Sequence, residues 1–145
     1  MKKTLIGLTL LAGLSAAAQA KEELLVTVAN AGKSVIAELD FASPNGQTVG
    51  FEFSLNVPAG AKANTSGCLK GLPATHTGFC QFDASANVIR GAVYSDVNAT
   101  LPKGVFSIGR VSIHGGGSAN TLNVSHFLAA GADAAALPSK SRVER

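Results

Sequence analysis

Gly50-Phe51-Glu52-Phe53-Ser54-Leu55-Asn56-Val57-Pro58 is the stretch whose reading decides the fold class. Phe51, Phe53, Leu55 and Val57 alternate with Glu52, Ser54 and Asn56. A period of two sends the first set to one side of an extended chain and the second to the other, which describes a strand with one buried face. Pro58 ends it, because proline has no N–H to give to a ladder. Upstream, Val35, Ala37, Leu39 and Phe41 oppose Ile36, Glu38 and Asp40 in the same way, and Ser43-Pro44-Asn45-Gly46 closes that run with a tight turn. Working outward, Leu24 to Ala29, Phe79 to Phe82, Val88 to Ser95, Val105 to Ile113 and Thr121 to Ala129 are further short runs between clusters of Gly, Pro, Asn and Ser. Helical periodicity is almost absent. Many short strands punctuated by turn residues indicate an all-β protein, a single antiparallel β-sandwich of jelly-roll type with about eight strands. Two runs carry more specific expectations. Val105 to Ile113 has apolar residues in both alternation sets, so both faces are expected to be partly covered. In Thr121 to Ala129, His126 falls in the set of Leu122, Val124 and Leu128 and is expected to pack inward. The segment from Ala59 to Gly78 reads as loop.

The two ends differ from this body. Met1-Lys2-Lys3 precedes an uncharged apolar stretch from Leu5 to Ala18, and Ala18-Gln19-Ala20 supplies a small-x-small exit. That order describes a secretory signal peptide, residues 1–20, cut between Ala20 and Lys21. The apolar stretch is shorter than the roughly 20 residues of a membrane span, and no second one follows, so no span is expected in the mature chain. Residues 21–137 are expected to form the domain and 138–145 a polar tail. The formal charge of +3 belongs to the ends: without Lys2 and Lys3, ten Lys and Arg face nine Asp and Glu, and Lys140, Arg142 and Arg145 are among the ten. Lys33, Lys62, Lys70, Arg90, Lys103 and Arg110 are scattered singly, which is not the clustered basic footprint of nucleic-acid binding. The expected location is secreted or periplasmic.

Cys68 and Cys80 are the only cysteines. Export brings them to an oxidising compartment, where a pair forms a disulfide. The enclosed segment holds Gly71, Pro73 and Gly78, so the bridge closes a loop. A Cys-x-x-Cys redox spacing is absent, and a zinc site has too few ligands nearby, His76 being the one histidine close to the pair.

A catalytic constellation is hard to assemble. His114 and His126 would meet as metal ligands if their runs were neighbouring strands joined by the Gly115 to Asn120 loop, but no third ligand is evident. Glu38, Asp40, Glu52, Asp83 and Asp96 are the carboxylates from which a glycosidase pair would be drawn. Glu38 and Asp40 share a strand face, the usual place of hydrated acids, while Asp83 and Asp96 lie at turns, where Asp caps backbone N–H groups. Gly-x-Ser-x-Gly is absent, and Gly115-Gly116-Gly117 lacks the Lys and Ser/Thr of a phosphate loop. No cofactor is expected; a loop calcium site using Asp96, Asn98 and neighbouring carbonyls would suit oxygen ligation and is the alternative. Trp is absent and Tyr94 is the sole Tyr, a poor supply of stacking platforms for carbohydrate.

Three stretches carry a family resemblance: Gly50 to Pro58; Arg90-Gly91-Ala92-Val93-Tyr94-Ser95 followed by Leu101-Pro102-Lys103-Gly104-Val105-Phe106; and Leu122-Asn123-Val124-Ser125 followed by Gly131-Ala132-Asp133-Ala134. In their order of strands and turns they resemble the cohesin-like domains of the carbohydrate-binding β-sandwich superfamily. The resemblance implies a sandwich fold and a secreted, non-catalytic module for protein–protein or cell-surface and polysaccharide attachment, that is, adhesion. No binding residue transfers from it, so the ligand-binding residues stay unknown. The alternatives are a structural subunit of an extracellular assembly, self-associating through an unprotected edge strand, and a small secreted hydrolase or metalloprotein.

Overall fold

The computed structural model describes residues 20–115 and 121–145. The expected signal peptide lies outside the described residues up to residue 19, as does most of the glycine run after His114. Ten strands follow in order: β1 (Glu22–Ala31), β2 (Ser34–Ser43), β3 (Gly50–Asn56), β4 (Lys62–Asn64), β5 (Thr77–Asp83), β6 (Val88–Tyr94), β7 (Gly104–His114), β8 (Asn123–Ala130), β9 (Ala136–Leu137) and β10 (Ser139–Glu144). They form two five-stranded sheets, β10-β1-β2-β7-β4 and β5-β6-β3-β8-β9. The first is called the N-terminal sheet below and the second the facing sheet. All pairings are antiparallel except β1 with β10.

The alternation read from the sequence becomes the core. Leu24, Val26 and Val28 of β1 and Ala37, Leu39 and Phe41 of β2 point into the sandwich against Phe51, Phe53 and Leu55 of β3 and Ile89 and Val93 of β6. Phe41 and Phe51 stack across the gap between sheets, with ring centroids 4.7 Å apart, and Phe127 and Phe106 close on them from either side. Each fully buried Phe contributes roughly 1.5–3 kcal/mol by leaving water. Gly91 of β6 has no side chain because the Phe53 ring lies where one would be; a Cβ there would stand 2.2 Å from the ring.

Two β-bulges alter the expected faces. A register shift in the β2–β7 ladder sets Asp40 opposite Ser107 and Leu39 opposite Gly109, leaving Ile108 as the extra residue. Phe106 and Ile108 therefore face the core before the bulge, and Val111 and Ile113 after it. Apart from Val105, which stands exposed on the outer side, the apolar residues in both alternation sets of this run thus come from a change of phase within one buried face, not from two covered faces. A second shift, between Ser54 and Leu55, makes Ser125 the extra residue of β8. Leu122 and Val124 point inward before it, Phe127 and Ala129 after it, and His126 and Leu128 turn outward. An inserted residue flips every later side chain to the other face. The inward packing expected of His126 is corrected on this ground.

The loop expected from Ala59 to Gly78 contains the short strand β4. Beyond β4 the same segment keeps to the edge of β7, where Gly67 accepts from the Arg110 N–H at 3.0 Å and Gly71 donates to Ile108 at 3.0 Å. Gly109 permits this approach: its φ is +147° and a Cβ would stand 2.2 Å from the Cys68 carbonyl oxygen. Cys68 and Cys80 form the expected disulfide, which ties this edge of the N-terminal sheet to β5 at the edge of the facing sheet. On the opposite side the chain itself crosses between sheets at Pro138, from β9 to β10. Residues 139–144, expected as part of a polar tail, are strand β10, paired in parallel with Glu22–Thr27. A polar composition suits an edge strand, of which only Ser139 and Val143 are partly covered.

Candidate functional site

The facing sheet presents its outer side as a set of cross-strand rows. The register places Phe79, Ala92, Glu52 and Leu128 in one row, with Thr77, Tyr94, Gly50 and Ala130 beside it. The next row on the other side is Gln81, Arg90, Ser54 and His126. Each row follows from the alternation: Phe51, Phe53 and Leu55 occupy the core, so Gly50, Glu52 and Ser54 must face out. Tyr94, Phe79 and Leu128 remain 49%, 48% and 39% exposed, respectively, with large apolar surfaces in water. Between Tyr94 and Leu128 lies a shallow groove floored by Gly50, Ala92 and Ala130. A Cβ on Gly50 would stand 2.5 Å from the Val93 carbonyl oxygen, so the floor there is bare backbone.

Polar side chains border this apolar patch. His126 Nε2 lies 2.9 Å from Glu52 Oε1 across β8 and β3. Arg90 Nη1 donates to Asp83 Oδ2 at 2.9 Å. Asp83 Oδ1 also accepts from the Ser85 hydroxyl at 2.7 Å and from the N–H groups of Ser85 and Ala86 at 3.1 and 3.2 Å. The Ser85 hydroxyl, then Arg90, then the Ala86 N–H hold its carboxyl at about 2. Hydrogen bonds to the charged form favour that form.

The other candidate residues are not brought together. His114 belongs to the N-terminal sheet and His126 to the facing sheet, because the connection from β7 to β8 crosses between sheets instead of turning within one. The two histidines are therefore not neighbours across a hairpin, and the condition for their meeting as metal ligands is not met. His114 instead shares hydrogen bonds with the hydroxyls of Ser34 (Nδ1, 2.7 Å) and Ser112 (Nε2, 3.2 Å). His76 is buried. Its Nε2 lies 2.9 Å from the Val49 carbonyl oxygen, which can only accept, so Nε2 carries the proton and Nδ1 faces the Thr75 hydroxyl at 2.9 Å. That bond pins the entry to β3. Glu38 and Asp40 lie on the outer side of the N-terminal sheet, Glu38 at 3.4 Å from Arg110, while Glu52 and Asp83 belong to the other sheet. In the Asp96–Asn98 turn it is the Ser95 hydroxyl that accepts from Val97 and Ala99. Among the described residues, no group of three or more His, Cys, Asp and Glu side chains converges.

Glu22 was not singled out from the sequence, yet it is fully buried at the start of β1. Its Oε1 accepts from the hydroxyls of Ser43 (2.6 Å) and Thr48 (2.7 Å), tying the first strand to the β2–β3 turn. The signal was present: Glu22 is in phase with Leu24, Val26 and Val28.

No protein-family model and no curated protein matches the chain. Solved structures do. In a cohesin–dockerin complex from Clostridium thermocellum, the matched chain is 17% identical with a TM-score of 0.62, over 87% of this chain and 95% of that one. The type II cohesin A11 of Bacteroides cellulosolvens is 10% identical with a TM-score of 0.61, over 83% and 95%. A non-cellulosomal cohesin from the archaeon Archaeoglobus fulgidus is 14% identical with a TM-score of 0.59, over 86% and 87%. At these identities the likeness is one of fold: the chain is a cohesin-like β-sandwich.

Proposed function

We propose that this chain is an exported, non-catalytic module that binds a protein partner through the outer side of β5, β6, β3 and β8. The observation that carries the reading is the exposed row of Phe79, Ala92, Glu52 and Leu128 beside Tyr94. Aromatic and aliphatic side chains standing in water on a rigid sheet gain when a partner covers them, and such patches mark interaction sites. The Glu52–His126 hydrogen bond and the Asp83–Arg90 ion pair form a polar border that would orient the partner. The fold agrees with this use, since one structure of similar fold is a cohesin in complex with a dockerin. An extracytoplasmic location is part of the same reading: the signal-peptide pattern of residues 1–20 supports it, and the disulfide suits it.

The test is capture from the envelope and medium of the producing organism, with the disulfide-bonded chain as bait. The parent chain is expected to retain one stoichiometric protein. A Tyr94→Ala/Leu128→Lys bait should lose it, whereas Val105→Lys, at an exposed site on the other sheet, should keep it. Equal capture by all three baits would exclude this face, and capture of polysaccharide alone would exclude a protein ligand.

A further inference from the structure

Two five-stranded sheets have four lateral edges, formed here by β10, β4, β5 and β9. Each edge is a row of backbone N–H and C=O groups open to another strand, and soluble proteins blunt such rows. Three of the four are blunted. β10 carries Lys140, Arg142 and Glu144, with Arg142 bridging to Glu23 at 3.1 Å and to Glu144 at 2.7 Å. β4 is three residues long, and the loop after it occupies the next part of the β7 edge through Gly67 and Gly71. β9 has two residues.

β5 differs from all three. It runs for seven residues, Thr-Gly-Phe-Cys-Gln-Phe-Asp, without Lys, Arg or Pro. Its single charge, Asp83, is already neutralised by Arg90. Among the described residues, no hydrogen bond reaches its backbone apart from the ladder to β6. The ladder to β6 already holds the strand extended and the Cys68–Cys80 bridge anchors its middle, so pairing would require little further ordering.

We propose that β5 pairs antiparallel with β5 of a second copy of this chain about a two-fold axis, joining the two facing sheets into one continuous sheet. The self-complementarity of the strand argues for a second copy as the occupant. With the axis at Cys80, Thr77 stands opposite Asp83, Gly78 opposite Phe82 and Phe79 opposite Gln81. No like charges meet, and each Phe82 lies across from Gly78, beside which Leu69 packs. The same edge serves both partners, as a two-fold interface requires. The contact is narrow, so the dimer forms in a concentration-dependent way. This inference uses the edge of the sheet and does not depend on what its outer side binds.

The test combines sedimentation equilibrium with hydrogen exchange on the disulfide-bonded chain from micromolar to millimolar concentration. Dimer should accumulate with concentration, and amides of Thr77–Asp83 that exchange freely in the monomer should become protected in step with it. Phe79→Lys/Gln81→Lys puts lysines opposite each other at two positions and should weaken association at least ~10-fold. Phe79→Glu/Gln81→Lys should restore it, because each glutamate then faces a lysine. A monomer across the whole range overturns the proposal. So does a dimer with unchanged exchange in β5, or equal association by the two double variants. Protection of β5 only on adding an extended peptide of another sequence overturns the second copy as occupant.

Discussion

Removing the disulfide by Cys68→Ala/Cys80→Ala is the perturbation whose size is best defined by the structure. The two cysteines are 12 residues apart in sequence. In the chain-entropy model, closing a loop of that length restrains the unfolded chain by about 3 kcal/mol at 25 °C. For residues 21–145, an unfolding entropy of roughly 2.1 cal/mol/K per residue sums to about 0.26 kcal/mol/K, so the variant should melt about 11 °C lower. The fold itself should survive. The bridge joins the two sheets at one side only, while the Phe41–Phe51 stack and the aliphatic residues around it hold the middle. The assay is thermal unfolding followed by circular dichroism, on the variant and on the oxidised and reduced parent. Reduction and mutation should lower the midpoint alike, and amides of β5 should exchange faster before those of β1 to β3. A fall of less than about 3 °C would refute the loop-entropy argument. Loss of strand signal at 25 °C would refute the claim that the core stands without the bridge.

Two other predictions concern features the sequence understated. The Asp83 carboxyl, held at about 2 against an ordinary 3.8, stabilises the folded state fully above the ordinary value, and that contribution is lost as pH falls through about 2. A carboxyl resonance titrating near 2 by NMR, moved toward the ordinary value by Ser85→Ala, is the expected result. Deleting residues 139–145 should cost roughly 2 kcal/mol or more, because it uncovers the β1 edge and the contact of Val143 with the core. A dispensable tail would change the urea midpoint by no more than about 0.5 kcal/mol equivalent.

How far the fold was legible in the sequence depended on whether a strand ran without interruption. β2 and β3 alternate cleanly, and each inward set read from the sequence is the buried set in the structure. β7 and β8 each carry one extra residue. In β8 the bulge leaves no compositional mark, since Ser125 is an ordinary strand residue; in β7 Gly109 beside Ile108 is a mark, but a glycine in a strand does not by itself say which residue is extra, because a bulge exists only relative to the partner strand. Strand β10 was invisible for a related reason. A parallel edge strand shows one side to solvent and gains its place from a partner more than a hundred residues away in sequence, so local hydrophobicity does not report it.

One of these gaps, the bulge in β8, fell where the candidate site is built. Read in unbroken alternation, Leu128 and His126 belong to the core set with Leu122 and Val124, which leaves the outer side of β8 to Asn123, Ser125 and Phe127. The bulge at Ser125 reverses that assignment. It buries Phe127 against Phe41 and Phe51, and brings Leu128 into the row of Phe79 and Glu52 and His126 to within 2.9 Å of Glu52. Bulges are enriched where a side chain must be re-aimed, and here the re-aimed pair completes both the apolar row and its polar border. Without the bulge, the outer side would carry Phe127 in place of Leu128, and the core would have to absorb an imidazole with no buried partner. The one-residue insertion thus serves packing and the exposed face together, and so a reading of local period recovered the sandwich but not the surface it presents.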